Sequence, residues 1–521
     1  MIRNRATRSA TPLIAAFLIS AAPPAAVQIM AENEFTPGAR QQAAGWSDDE
    51  GGLWLFGGDG YYEEGSRDML NDLWRYDTDT GEWSWQHGSD TGDHEGTYGD
   101  RGVPHPDNQP GARYDGISVT GDAGEIWLFG GVGLAGSSWS ADLNDLWQYD
   151  PATGEWTWVG GTNERNEAGH YGTLGEPDPE NVPGGRSYRP ASWATASGEI
   201  WLFGGGGRDS QGDWDRLNDL WRYDPASEEW TWMAGSQFNS EPGAYGDAGT
   251  PGDAYRPGAR LAPAHWTRNG EELWLFGGDG IDSQERSGRL ADLWKYDTGA
   301  NQWTFVKGSP YRRESGEYGV RGVPAPDNMP GARDYSASWT DDAGNLWLFG
   351  GFGYDEEGDR GRLNDLWRYD PTSNEWTWMS GAAWRNATGN YGTQGEADPA
   401  NTPGARYGAV SWTGNDGGLW LFGGSGYNDE DRGRLNDLWR YDTSTEEWTW
   451  VAGSDSLDQP GVYGPVRSEW RQIGDFNNDG CVDFEDFIFL LQNWGEMIDG
   501  IPMGFEDFNA LLENWGQGPD C

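Results

Sequence analysis
Cysteine, basic side chains and long apolar runs are all scarce in this sequence. Its 521 residues hold two cysteines, Cys481 and Cys521, both in the last 41 positions. Disulfide stapling is therefore excluded from everything before them. In an oxidising compartment the two either pair and tie the C-terminal segment together or stand as two free thiols. Only 35 Lys and Arg face 85 Asp and Glu, a formal net charge of −50. Without a positive patch to release counterions, nucleic acid and anionic lipid are excluded as partners. Such a surface suits cations, basic partners or solubility in a salty medium, and a solvated acidic shell is the simplest account of it. No segment after the N-terminus approaches the roughly 20 apolar residues of a membrane span.

The N-terminus reads as an export signal over residues 1–31. Arg3, Arg5 and Arg8 precede a short apolar run, Leu13 to Ala22, and small residues continue through Ala25 and Ala26. Cleavage is expected between Ala22 and Ala31, with an uncleaved anchor as the alternative. The chain is thus expected to be secreted, at the cell surface or periplasmic.

Glycine and aromatics are plentiful instead, with 82 Gly, 34 Trp, 22 Tyr and 17 Phe. Disordered chains are poor in aromatics, so the glycine marks turns between many short strands. A repeat organises them. The string FGG begins at Phe56, Phe129, Phe203, Phe276, Phe349 and Phe422, at intervals of 73, 74, 73, 73 and 73 residues. Each copy has four segments: a run after a PGAR-like string (ending at Arg40, Arg113, Arg186, Arg260, Arg333 or Arg406), an LWLFGG run, an LNDLWRYD run and an EWTW run. They are short, aromatic and bounded by Gly, Pro, Asp or Asn, which is strand chemistry. The second is apolar on both faces, as an inner strand between neighbouring sheets must be. Six four-stranded antiparallel sheets arranged radially bury one another's faces and leave only short edges. The expected fold is all-β, a six-bladed propeller over 32–453.

The double glycine after the second strand, the Tyr of the third and the Trp of the fourth resemble the kelch motif over roughly residues 37–454. A kelch repeat usually takes about 50 residues, so the surplus is expected in loops. Strands one and three run one way and two and four the other, which places the loops after strands two and four on one face. The loop after FGG is expected to be roughly a dozen residues, as in Asp355 to Arg362, and the loop after strand four to run to the next PGAR. The resemblance implies partner binding through these loops. A Tyr-Gly pair recurs in the longer loop at Tyr98, Tyr171, Tyr245, Tyr318, Tyr391 and Tyr463, and a feature of every blade orders the loop rather than recognising an asymmetric ligand. Subtracting the repeat leaves Tyr61, Tyr62, Trp139, Trp214, Trp384, Arg312 and Arg313 as ligand-binding candidates, against packing within the loops.

Kelch propellers resembling galactose oxidase need two His, two Tyr and a Cys. The propeller has no Cys, and His87, His94, His105, His170 and His265 share no spacing. Asp-box patterns resembling those of sialidases fit Ser47 to Trp54, Thr120 to Trp127 and Thr340 to Trp347, where Asp and Gly serve to close a tight turn. No catalytic constellation stands out.

Residues 454–473 read as a linker that retains a fragment of the inter-blade loop, followed by a small helical module over 474–521. Asp475, Asn477, Asp479, Cys481 (through its carbonyl), Asp483 and Asp486 have the spacing of a calcium loop around Gly480. Phe484, Phe487, Ile488 and Leu491 repeat at helical spacing. The ending NWG returns 21 residues later. This duplicated loop and helix resembles a type I dockerin, which implies docking to a cohesin-like partner. The second copy has Ile498, Gly500 and Gly504 in place of ligands, so one Ca2+ is expected, and a stand-alone stabilising module is the other reading. The whole reads as a monomeric extracellular binder of a glycan or secreted protein. A carbohydrate-active enzyme and a structural envelope protein are the alternatives.

Overall fold
The computed structural model describes residues 35–464, except positions 49, 122, 123, 137 and 138, and a two-residue pairing of Met497–Ile498 with Ile501–Pro502. The signal segment, the calcium loop with its helix, and both cysteines lie outside the described residues.

Residues 40–452 form six blade-like antiparallel sheets. In blade 1 the strands are Ala44–Ser47, Gly52–Tyr61, Arg67–Asp77 and Glu82–His87, and in blade 5 Ala337–Thr340, Leu346–Tyr354, Arg360–Asp370 and Glu375–Ser380. The six inner strands touch in chain order, and that of blade 6, Val410–Thr413, returns to that of blade 1. The ring is closed. Ser118, Thr267, Ser338 and Ser411 each donate back to an inner-strand carbonyl of the preceding blade.

Aromatic area fills the seams. Trp54 meets Tyr149 at 5.7 Å and Phe56 meets Trp156 at 5.5 Å across blades 1 and 2. The pattern recurs to the closing seam, where Trp83 meets Phe422 at 5.4 Å. Each seam has its own buried cluster, so a blade cannot bury its faces alone.

The glycine pair has a geometric cause. Gly57 sits at φ 63° in a bulge, where a Cβ would lie 2.7 Å from the Leu70 carbonyl oxygen and 2.8 Å from that of Arg113. The PGAR arginine uses the same bulge. Arg40 donates to the Gly57 carbonyl at 3.0 Å and forms a two-pronged pair with Asp72 at 2.7 Å. All six arginines do this with their blade's Asp at 2.6–2.8 Å, fully buried.

Each of these carboxylates also accepts from the Trp two residues on and from the Tyr of the preceding blade's loop, as in Trp147 and Tyr98 on Asp145. The ring closes through the same bond, Tyr463 to Asp72 at 2.6 Å. Stretch 454–464 therefore retains the inter-blade loop, pinned further by Thr36 and Val462. Burial beside a carboxylate pushes the Tyr171, Tyr245, Tyr318 and Tyr463 hydroxyls up, which keeps them protonated donors.

The surplus length is not all loop. Strands two and three run past FGG, pairing Tyr354 with Arg360, so the expected dozen-residue loop of blade 5 shrinks to Asp355–Asp359. The Asp355 carboxylate caps it by accepting from Glu357 and Asp359. The longer loop leaves the expected face and then runs down the outer edge of the next blade. His105 bridges Trp156, Asp178 bridges Trp230, Pro251 bridges Thr304 and Ala325 bridges Trp376, while Ala397–Asp398 pairs with Trp448–Thr449. Unpaired outer strands attract foreign strands, and these straps cover those of blades 2 to 6.

Candidate functional site
The first segment of each blade is broken by a corner. Two residues pair beside the bulge, the chain turns through a left-handed residue, and the inner strand begins. The corner residues are Gln42, Asp115, Tyr188, Ala262, Tyr335 and Gly408, with φ between 44° and 66°. Lying just before the ring of inner strands, they rim the central channel on the face from which the long loops leave. Backbone bonds join them into a girdle: Asp115 to Gln42 at 2.9 Å, Ala262 to Tyr188 at 2.9 Å, Tyr335 to Ala262 at 3.0 Å, Gly408 to Tyr335 at 3.1 Å and Gln42 to Gly408 at 2.7 Å. The link between blades 2 and 3 is not made among the described residues.

That gap has a cause in the sequence. Arg and FGG are 16 positions apart in five blades and 17 in blade 3, from Arg186 to Phe203. The extra residue is Arg189, which takes a second consecutive left-handed turn at φ 48° after Tyr188 at 53°. Such strain persists where the surroundings over-determine it.

The inserted residue changes what crosses the mouth. Arg189 reaches from blade 3 to the Ala409 carbonyl of blade 6 at 3.2 Å. On the other diameter the Tyr335 hydroxyl of blade 5 donates to Asp115 Oδ2 of blade 2 at 2.9 Å, and Gln42 Nε2 donates to the same oxygen at 2.8 Å. Asp115 is 1% exposed and its Oδ1 has no partner. Burial pushes its carboxyl up to about 7, against the pull of Tyr335, Arg189 and Gln42. His265, on the inner strand of blade 4, is pushed down to about 4 by burial and by Arg189. Asp115, Arg189 and His265 have no counterpart around the ring, whereas Tyr188 stands at the position of Tyr335.

Outside the girdle, blades 4, 5 and 6 carry a patch of arginines over aromatic rings. Arg289 lies 4.6 Å over Phe352, Arg362 lies 5.0 Å over Tyr407, and Tyr335 meets Tyr407 edge-on at 6.0 Å. In blade 3 Tyr188 meets Trp214 at 5.8 Å.

Of the candidates read from sequence, only Trp214, 42% exposed, comes beside the mouth. Tyr61 ends the second strand of blade 1 opposite Arg67, and Tyr62 lies in the turn after it. Trp139 in blade 2 and Trp384 in blade 5 stand 72% and 64% exposed. Arg312 donates to the Ser287 carbonyl at 2.8 Å, and Arg313 lies beside it on blade 4 at φ 68°. These positions are spread over five blades and do not converge. Asp115, Arg189, Tyr335 and His265 escaped notice as a group, although the single 74-residue interval marked the place.

The Asp-box turns have structural work of another kind. The capping falls to the residue before the motif's Asp: Asp48 and Asp341 each cap their turn and accept from the indole of Trp54 and Trp347, at 2.7 and 2.8 Å, while the motif residues Asp49 and Asp122 lie outside the described residues. The expected calcium ligands, Asp475 to Asp486, lie outside the described residues.

Residues 25–242 match the family model of the KLHDC2/KLHL20/DRC7 Kelch-repeats domain. A search of curated proteins finds no match. The chain is similar to the solved structure of YjhT at 15% identity and a TM-score of 0.47, over 80% of this chain and 98% of that one. Residues 25–242 are thus similar to a kelch-repeat family, and the described residues form a closed β-propeller ring of six blade-like sheets.

Proposed function
We propose that the propeller is an extracellular binding module that takes a glycan or secreted protein on the face where the long loops leave, centred on the channel mouth. The observation that carries this reading is the gathering there of side chains that break the six-fold pattern, Arg189 and Asp115 with the corner tyrosines Tyr188 and Tyr335, and Trp214 beside them. Ring-facing aromatics and arginine forks recognise sugars and protein anchors alike. The tail over 474–521 would bind one Ca2+ through Asp475, Asn477, Asp479, Cys481, Asp483 and Asp486 and tether the module, to a cohesin-like partner or by itself.

A glycan array and a secreted-protein capture, run on the full chain with and without calcium, test the reading. Arg189→Ala and Trp214→Ala should each abolish capture of at least one glycan or protein that the parent takes, while Asp475→Asn should remove calcium binding and leave capture intact. An unchanged set of captured ligands in both mouth variants would sink the proposal. A second reading, catalysis on a saccharide, is favoured by one observation, the buried Asp115 carboxyl with an unpartnered oxygen at the mouth that Arg189 crosses. Turnover of a bound sugar that is lost in Asp115→Asn would establish it.

A further inference from the structure
Subtracting the repeat exposes a second site, on the outer rim. In blades 4 and 5 the third-strand Tyr donates to the Asn that follows in the turn, Tyr296 to Asn301 at 3.2 Å and Tyr369 to Asn374 at 2.7 Å. Those Asn sit at φ 54° and 60°. In blades 3 and 6 the same left-handed position is Glu228 or Glu446, and the hydroxyls of Tyr223 and Tyr441 are buried without a partner. The same two seams receive an arginine that the other loops lack. Arg101 anchors its Nε on the Val159 carbonyl at 2.7 Å and Arg321 on that of Met379 at 3.0 Å. Two independent departures from the repeat therefore coincide, twice, on opposite sides of the ring.

At the first of these seams lies a cavity of about 210 Å3. Its floor includes Tyr223, Asn181 and Trp230, all buried, and its mouth includes Arg101, Glu180 and Glu228, all exposed. We propose that the seam between blades 2 and 3 binds a neutral sugar ring, and that the seam between blades 5 and 6 offers a second such site, with Ala400 where the first has Glu180. The hydroxyl and the guanidinium need acceptors, and the two carboxylates need donors. One arginine against two glutamates disfavours an anion, and the arginine disfavours a cation. A hydroxyl group both accepts and donates, and a ring bearing several satisfies all four side chains beside an indole. A hydroxyl buried without a partner costs free energy unless something occupies the space.

The site stands apart from the channel mouth, so each can fail without the other. Titration calorimetry of the full chain with methyl glucoside, methyl galactoside and methyl mannoside, beside glucuronate and glucosamine, tests it. The expected result is two equivalents of at least one methyl hexoside and weaker binding of both charged sugars. Arg101→Gln with Tyr223→Phe should lose one equivalent, and adding Arg321→Gln with Tyr441→Phe should lose the other. Arg189→Ala should keep both. Tyr223→Phe deletes an unpartnered hydroxyl and should melt no lower than the parent, so loss of binding there is not loss of fold. Failure of all three hexosides to bind, equal binding of charged sugars, or stoichiometry indifferent to the variants would overturn the proposal. One equivalent lost only with the first pair would overturn its repetition in blades 5 and 6.

Discussion
A single carboxyl illustrates how the channel mouth differs from the rest of the ring. The six Asp of the LNDLW runs are as buried as Asp115, yet each is held by a guanidinium fork, an indole and a phenol. Asp115 has an amide and a phenol on one oxygen and nothing on the other. Its carboxyl, ordinarily near 3.9, is raised to about 7 by burial. The folded protein thus holds a proton that the unfolded chain has released. Its contribution to stability is complete below about pH 4 and is lost as pH rises to about 7, at most about 4 kcal/mol. Asp334, also raised to about 7 by burial, adds in the same direction. His265, pushed down to about 4, opposes both between about 6.5 and 4. Asp115→Asn keeps the shape and removes one of these. Melting curves from pH 8 to pH 5 should show the parent gaining on the variant as pH falls, and parallel curves would disprove the buried proton.

At the scale of elements, departures from the repeat carry most of the information. The turn between strands three and four needs a left-handed residue, which Asn tolerates better than Glu. Glu228→Asn should therefore relieve the turn and give Tyr223 the acceptor that Asn374 gives Tyr369. A gain of about 1 kcal/mol is expected, read as a higher denaturation midpoint, and a drop would show that Glu228 has work the fold needs. Strand identity was legible in the sequence because each strand is written six times in local chemistry, whereas the bulge at the glycine pair shows only in the register of the strands. The path of the longer loop was not. It bridges the next blade through backbone, which leaves no side-chain signature, so length alone suggested a crowded face. The extended second and third strands were hidden for a related reason, since Gly, Asp and Arg after FGG read as loop. Arg189 was hidden differently. It sits in a run of small and polar residues, and only a count of positions sets it apart.

For the molecule as a whole, the six buried ion pairs and the net charge of −50 belong to different environments. The pairs are shielded from solvent ions, and the excess carboxylates repel one another across the surface. Raising NaCl from about 0.1 M to about 1 M shortens the screening length from about 10 to about 3 Å. The melting temperature should rise by several degrees over that range, and a fall would show that exposed ion pairs outweigh the repulsion. The bond from Tyr463 to Asp72 spans 391 positions, and this sets an order of events. Blade 1 begins the chain with its charged centre one donor short, and the missing hydroxyl belongs to nearly the last propeller residue to be synthesised. Every other blade receives its phenol from the blade just made. A nascent chain can therefore complete its blades in succession as it emerges, while the first waits unlatched until the circle has come round to it.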